Sequence, residues 1–400
     1  MHFDLHYRLD IVNRIKDVVQ DIKEWNSEER LDISELDDLV DRVKVFEHCA
    51  APDHEFTIAG SDSSGEFPVA SYGDSYVYLV TGLTRVFSSG DEGRLKELDV
   101  PGLNLTDLLW LPEDQVVRDQ RYDEFFTRLI GIPLLELAQR SDYMELRRQH
   151  GGQRGTPDEL IEFMVRPPAH DASNIRIHTM TATELCTIAR LLRSDFKPTY
   201  AISDTTLTLP LVKQKGCIFF ELVKRYCCVL AREKETVFMA LSKSHNLPHM
   251  GQLEDMIEKQ CAKDHWFLRL PDQETDGIKP SFLGARGVPP IGGITYIFKL
   301  SSGTPPLRVD LDRKFWVENI QDDNPAIQQQ REVQIFRDLD FASHDQRCYG
   351  YPYPIKASHD IVSLTKPERQ ALKKHLIDEA EKAGLKRRNF TDTSLFTGHS

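Results

Sequence analysis

Two aspartates occupy the same kind of position in this chain. Asp62 follows the apolar run FTIAGS and precedes SSG, while Asp204 follows YAIS and precedes TTL. Glu184 stands in TATELCTIARLL, a stretch of helical apolar spacing just ahead of the second run. Adjacent strands that each end in Asp, with a Glu from a neighbouring helix, gather carboxylates at one end of a sheet. Their repulsion is costly unless a divalent cation neutralises it, and donors that are all oxygen suit Mg2+ or Mn2+. Two such ions activate a water and stabilise the leaving oxygen in phosphodiester cleavage. Taken singly, each Asp reads first as a turn or cap residue, because Asp after a strand is ordinary turn chemistry. The metal reading belongs to the group, not to any one member.

Two further residues extend the chemistry. Lys243 ends the run VFMALSK and reads either as a phosphate contact or as a solvated strand end. His359 lies in RCYGYPYPIKASHDIV, where a rigid aromatic-proline turn leads into a helix. There it is either a surface residue or an imidazole that completes a metal site or handles a proton. His245 and His249 have the i, i+4 spacing of a zinc-binding helix, but Pro248 between them makes them loop histidines. The seven cysteines form no CxxC pair and read as free thiols of a reducing, cytoplasmic compartment.

Strands interleaved with helices must position these residues, which makes the chain α/β. Residues 7–25 and 33–46 carry helical spacing, so 1–50 reads as an N-terminal helical segment. Strands are expected at 56–61 and 67–87, an irregular stretch rich in Gly, Asp and Pro at 88–120, and helix at 121–149. Alternation at Ile175 and Ile177 suggests a strand, followed by a helix over 181–195 with a Thr N-cap. Further strands are expected at 198–212, in TVFMALSKS, ITYIFKLS and PLRVDLD, with helices at CIFFELVKRYCCVLAREK and QLEDMIEKQCA. The C-terminal part, 320–400, ends in helices at about 323–343, 353–361 and 366–385.

Composition narrows the partners. The chain has 400 residues, with 63 acidic against 50 basic and a net charge of −13. Taken alone, that balance argues against a sequence-reading DNA binder with a broad basic face. It leaves open an enzyme that handles nucleic acid in a narrow channel, where carboxylates hold cations. No apolar run approaches the roughly 20 residues of a membrane span, and the charged amphipathic N-terminus is not a signal peptide.

In their order along the chain these motifs resemble the NurA family of nucleases, partners of HerA-type hexameric DNA translocases. AGSDSSG corresponds to the family's first acidic motif and places its first metal ligand on Asp62. The helix-borne acid falls on Glu184, SDTTL selects Asp204, and ALSK selects Lys243. LRVDL matches with Arg308 and Asp310, and GYPYPIKASH, the most specific of the set, selects His359. Both acidic motifs carry Ser or Thr where the family's pattern has Gly.

The resemblance implies an RNase H-like mixed sheet flanked by helices, spanning 51–400, with an insertion around 88–180. It also implies Mn2+-dependent (or Mg2+-dependent) cleavage of DNA, a homodimer enclosing a channel, and docking on a HerA-like hexameric ATPase. On it, Asp62, Glu184, Asp204 and His359 are the metal ligands, Lys243 offsets phosphate charge, and Tyr296 is taken as the family's active-site Tyr. DNA end processing or antiviral defence is the expected setting. An adaptor that has lost catalysis is the competing reading. Retention of the repulsive acids and His359 speaks against it. A related enzyme acting on RNA is a third.

Overall fold

The computed structural model describes residues 5–28, 33–90, 93–149, 156–162, 172–207, 218–243, 250–261, 265–276 and 292–391. His245 and His249 lie outside the described residues. Helices α1 (Leu5–Glu28) and α2 (Ile33–Val40) come first; α2 ends six residues before the expected 46, and residues 44–45 are strand instead, paired with the strand at 266–267. Strands β1 (Lys44–Val45), β2 (Thr57–Tyr72), β3 (Ser75–Ser88), β4 (Lys96–Leu98) and β5 (Asn104–Leu111) follow. Next are α3 (Gln115–Ile130), α4 (Leu134–Arg140), α5 (Tyr143–Gln149), α6 (Pro157–Glu162) and the long α7 (Ala172–Arg193). β6 (Tyr200–Ser203), α8 (Ile218–Glu233), β7 (Val237–Ser242), α9 (Met250–Cys261), β8 (Trp266–Arg269) and α10 (Gln273–Asp276) continue the alternation. β9 (Gly293–Lys299) and β10 (Leu307–Asp312) form a hairpin. The chain closes with α11 (Arg313–Asn319), α12 (Pro325–Phe341), α13 (Tyr353–Val362), α14 (Lys366–Lys382) and β11 (Phe390–Thr391).

The strands make one open mixed sheet in the order β1-β8-β9-β10-β7-β6-β2-β3-β4, with β5 also on β3 and β11 on β2. Within it, β5, β3 and β2 are an antiparallel meander, and β6 and β7 run parallel to β2. Helices α7 and α8 lead into those two parallel strands, as parallel pairing requires a crossover. A meander of three followed by two parallel strands beside its first strand is the RNase H-like order. Successive residues face opposite sides: Ala201, Phe238 and Ala240 join the core under α3, α4, α7 and α8. Tyr200, Ile202, Met239 and Leu241 join the core under α11, α12 and α13. Each fully buried large apolar side chain contributes about 1.5–3 kcal/mol.

Three local expectations change. β2 does not stop before Asp62; it continues to Tyr72 because β3 stays paired with it to Ser75, whereas β6 leaves after Gly60↔Ile202. The polar SDSSGE segment is therefore strand with a neighbour on one side, where composition alone suggests a turn. Within 88–120, NLTDLLWL alternates buried and exposed residues and forms β5, and β4 lies there too, so part of the presumed insertion is sheet. Ile175 and Ile177 belong to α7, Ile175 buried and Ile177 exposed, so the helix begins nine residues before Thr181. The hydroxyls of Thr179 and Thr183 donate to carbonyls one turn back, which accommodates β-branched residues in this helix.

One buried charge network locks the helical face. Arg225 of α8 donates to Asp142 Oδ1 (2.7 Å) and Oδ2 (2.9 Å) and to Asp312 Oδ1 (2.6 Å). Arg232, two turns on, donates to Asp142 Oδ2 at 3.0 Å and pairs also with Asp312. Burial works against the Asp142 carboxylate, yet the two guanidiniums hold it below its usual pKa range.

Candidate metal centre

Asp62, Glu184, Asp204 and His359 arrive at one edge of the sheet from four elements. Asp62 sits on β2 two residues past its last parallel pair, where the strand has lost its neighbour β6. Asp204 is the residue after β6, in a turn closed by Thr205 N donating to Ser203 O (2.9 Å). Glu184 projects from the middle of α7, on the face of the sheet that α7 and α8 cover. His359 comes from α13 on the opposite face.

Close packing fixes both helices. A Cβ at Gly60 would lie 2.4 Å from Ile355 N and from Pro354 C, so only glycine lets α13 rest on β2. Ser358 then donates to Gly60 O at 2.8 Å, placing His359 beside Asp62. On the other face, a Cβ at Gly82 of β3 would meet the Thr183 methyl at 2.8 Å, next to Glu184.

The acids are linked electrostatically. Glu184 is buried, and its Oε1 accepts from Ser203 Oγ (2.7 Å) and from the backbone N–H of Asp204 (2.6 Å). Burial, then the nearby charges of Asp62 and Asp204, push its pKa well above the usual carboxylate value. Burial also raises Asp204; Asp62 adds to the rise, and Lys243 opposes it. Asp62 Oδ2 lies 2.6 Å from Nδ1 of His359, and Lys243 Nζ stands 3.6 Å from Asp204 Oδ2. Three carboxylates thus face one ammonium and one imidazole. Such an excess of oxygen donors fits a hard divalent cation.

Tyr351 is the residue that the sequence leaves unassigned. Its ring lies under the Lys243 ammonium, 4.4 Å from centroid to Nζ, a cation–π contact that holds the lysine over the acids. Its hydroxyl is buried and has no hydrogen-bond partner among the described residues. Burial, then Asp204, Glu184 and Asp62, push the phenol well above its usual pKa. The YGYPYP turn flags the segment; only packing tells Tyr351 from Tyr349 and Tyr353.

The other expected residues fall elsewhere. Tyr296 is a core residue of β9 whose hydroxyl donates to Glu332 Oε1 (2.7 Å) and accepts from Trp316 Nε1 (2.6 Å), so it is not the tyrosine of the acid cluster. Asp310 is fully buried and bound by Arg308, Thr295 Oγ1 and the backbone N–H of Leu207. It anchors the chain just after Asp204 instead of joining the acids. A separate group, His48, His265 and Asp340, presents one ligand atom each, all within 4.8 Å of one another, and is placed to hold a divalent ion.

No protein-family model and no curated protein matches this chain. Among solved structures it is similar to the NurA nuclease from Sulfolobus solfataricus, with 14% identity, a TM-score of 0.48, and 95% of this chain and 98% of that one covered. A NurA bound to dAMP and manganese has 11% identity and a TM-score of 0.40, over 94% of this chain and 98% of that one. A NurA with manganese gives 11% and 0.36 over the same shares. At these values the likeness decides nothing; the strand order and the acids carry the reading.

Proposed function

We propose that this chain is a metal-dependent deoxyribonuclease of the NurA type. The observation that carries it is the convergence of Asp62, Glu184 and Asp204 at one sheet edge, with Glu184 buried and forced upward in pKa by its neighbours. Asp62, Glu184, Asp204 and His359 would hold Mn2+ or Mg2+. Such an ion supplies a water of lowered pKa and positive charge for the leaving oxygen.

The chain's own groups do the rest. Ser203 Oγ and the Asp204 N–H hold Glu184 Oε1 in place, so that carboxylate is oriented before substrate arrives. The Asp62–His359 pair keeps the imidazole turned toward the acids. The Lys243 ammonium, steadied by the Tyr351 ring, meets the phosphate charge. DNA reaches the centre without a broad basic face, which fits a channel enclosed by two copies of the chain. Supporting such a dimer, Ile11, Ile15, Val18 and Ile22 of α1 recur at heptad spacing and are exposed. A HerA-like hexameric translocase would feed the DNA, for end processing or for defence against foreign DNA. Among the described residues no helix is long and apolar enough to cross a membrane.

The test is cleavage of linear duplex and single-stranded DNA with Mn2+. Wild-type protein should degrade them, and Asp204→Asn should lose the activity by about a hundredfold or more. Equal cleavage by the variant would show that the site is elsewhere. Cleavage of RNA but not DNA would reassign the substrate.

A further inference from the structure

A second cluster lies apart from the acids. His48 is in the connection between β1 and β2, His265 immediately precedes β8, and Asp340 is in the last turn of α12. Four strands stand between β8 and β2 in the sheet. His48 Nδ1 is 3.2 Å from Asp340 Oδ2, and His265 Nε2 is 3.4 Å from Asp340 Oδ1. His344, one turn past Asp340, places its Nε2 3.1 Å from Oδ1, and its ring stands 4.2 Å from that of His48.

We propose that His48, His265 and Asp340, oriented by His344, form a structural transition-metal site of the zinc class. Four observations carry it. Imidazole nitrogens with one carboxylate are a zinc donor set, unlike the all-oxygen set at the acid cluster. Zinc bonds of about 2.0–2.2 Å in a tetrahedron put neighbouring ligand atoms roughly 3.3–3.5 Å apart; each imidazole is at that spacing from one of the two Asp340 oxygens, and the three ligand atoms all lie within 4.8 Å of one another. Asp340 is completely buried, and among the described residues no lysine or arginine pairs with it. Its other partners are the Cys49 N–H at 2.7 Å and His344. A buried carboxylate whose side-chain partners are imidazoles has no lysine or arginine beside it to offset its charge, which a divalent ion provides. Finally, His265 Nε2 is buried without a hydrogen-bond partner among the described residues, although it points at Asp340. A purely hydrogen-bonded cluster would satisfy that nitrogen; a metal ligand need not be satisfied by protein.

The His48 side chain is 45% exposed, so the site opens to solvent for metal entry and for a water in the fourth position. Its role is that of a staple. It joins the edge strand β1 and its neighbour β8 to the end of α12, where the chain turns toward Tyr351. That turn is already pinned by Gly350 N donating to Ser343 O (3.0 Å) and Tyr353 N to Ala342 O (2.8 Å). Metal at Asp340 therefore fixes the root of the segment that carries Tyr351 and His359.

The test uses full-length Asp62→Asn/Asp204→Asn protein, stripped with a chelator, so that the acid cluster does not contribute. Titration with Co2+ should give one equivalent of the intense visible absorption of a tetrahedral nitrogen–oxygen site, bleached by one equivalent of Zn2+, with a rise in melting temperature. His48→Gln and His265→Gln should each weaken binding about tenfold to a hundredfold, and His344→Gln less. An unchanged circular dichroism spectrum would show that these variants still fold. Elemental analysis of purified wild-type protein should find about one zinc per chain, independent of the variants. Absence of both Co2+ absorption and bound zinc would overturn the proposal, as would stoichiometric binding that survives both His48→Gln and His265→Gln.

Discussion

Two groups of buried or half-buried charge can be set side by side. In the Arg225–Asp142–Asp312–Arg232 network, two guanidiniums meet two carboxylates, and every partner is within hydrogen-bond reach. At the sheet edge, Asp62, Glu184 and Asp204 share one lysine and one histidine, and burial with like charge pushes Glu184 upward. The first arrangement is balanced and its pKa shift favours the charged form; the second is short of positive charge and favours protonation. Balanced charge holds a fold together. Unbalanced charge, kept in place by helices on both faces of the sheet, is what a bound cation would offset.

The comparison breaks most visibly at Arg225. Arg225→Met leaves buried Asp142 and Asp312 with Arg232 as their one remaining guanidinium and should cost about 3–5 kcal/mol in urea unfolding. Asp62→Asn/Asp204→Asn should instead leave metal-free stability unchanged or higher while abolishing cleavage. If both variants lose stability alike, the acid cluster is structural and the contrast fails.

Gly60→Val comes next. Its new side chain would strike the start of α13 and should cost about 1–3 kcal/mol through overpacking. Cleavage should fall with melting temperature, because His359 moves away from Asp62. Full activity in a destabilised variant would remove His359 from the site.

The pH dependence has a definite sign. Glu184 and Asp204 both have folded-state pKa values above their ordinary ones of 4.5 and 3.8. Their contribution to metal-free stability is therefore fully present below those ordinary values and is lost as pH rises through the raised ones. Melting temperature without metal should fall over that window, and Glu184→Gln should flatten the slope. Mn2+ should release protons on binding and bind more tightly as pH rises. A metal-free melting temperature that rises with pH in wild type, and does so equally in Glu184→Gln, would contradict the shift.

Tyr351→Phe should have the smallest effect on stability. It removes a buried hydroxyl that has no partner among the described residues, so stability should change by less than about 1 kcal/mol. Lower cleavage at unchanged stability would place the phenol in the chemistry; unchanged cleavage would leave only its ring, beneath Lys243, in use.

Much of the site is legible in the sequence because its signals are local. An apolar run followed by Asp, a helical stretch around Glu184 and a proline-fixed helix before His359 each mark a residue without tertiary knowledge. The extent of β2 is not legible, since its polar half is strand only through β3. Ile175 and Ile177 look like alternation, and whether a helix contains them depends on the sheet that α7 covers. Tyr296 and Tyr351 are equally aromatic on paper; packing buries one against Glu332 and leaves the other half-buried beneath Lys243. Asp340 and His344 are one helical turn apart, but His48 and His265 lie far from them in sequence, and only the fold brings the four together.

Calorimetric titration of metal-free protein with Mn2+ reads directly whether the acid cluster holds the ion. Wild type and His48→Gln should bind Mn2+ with similar affinity, and Asp62→Asn/Asp204→Asn should lose that binding together with DNA cleavage. Undiminished Mn2+ binding by the double variant would mean that Asp62 and Asp204 do not hold the ion.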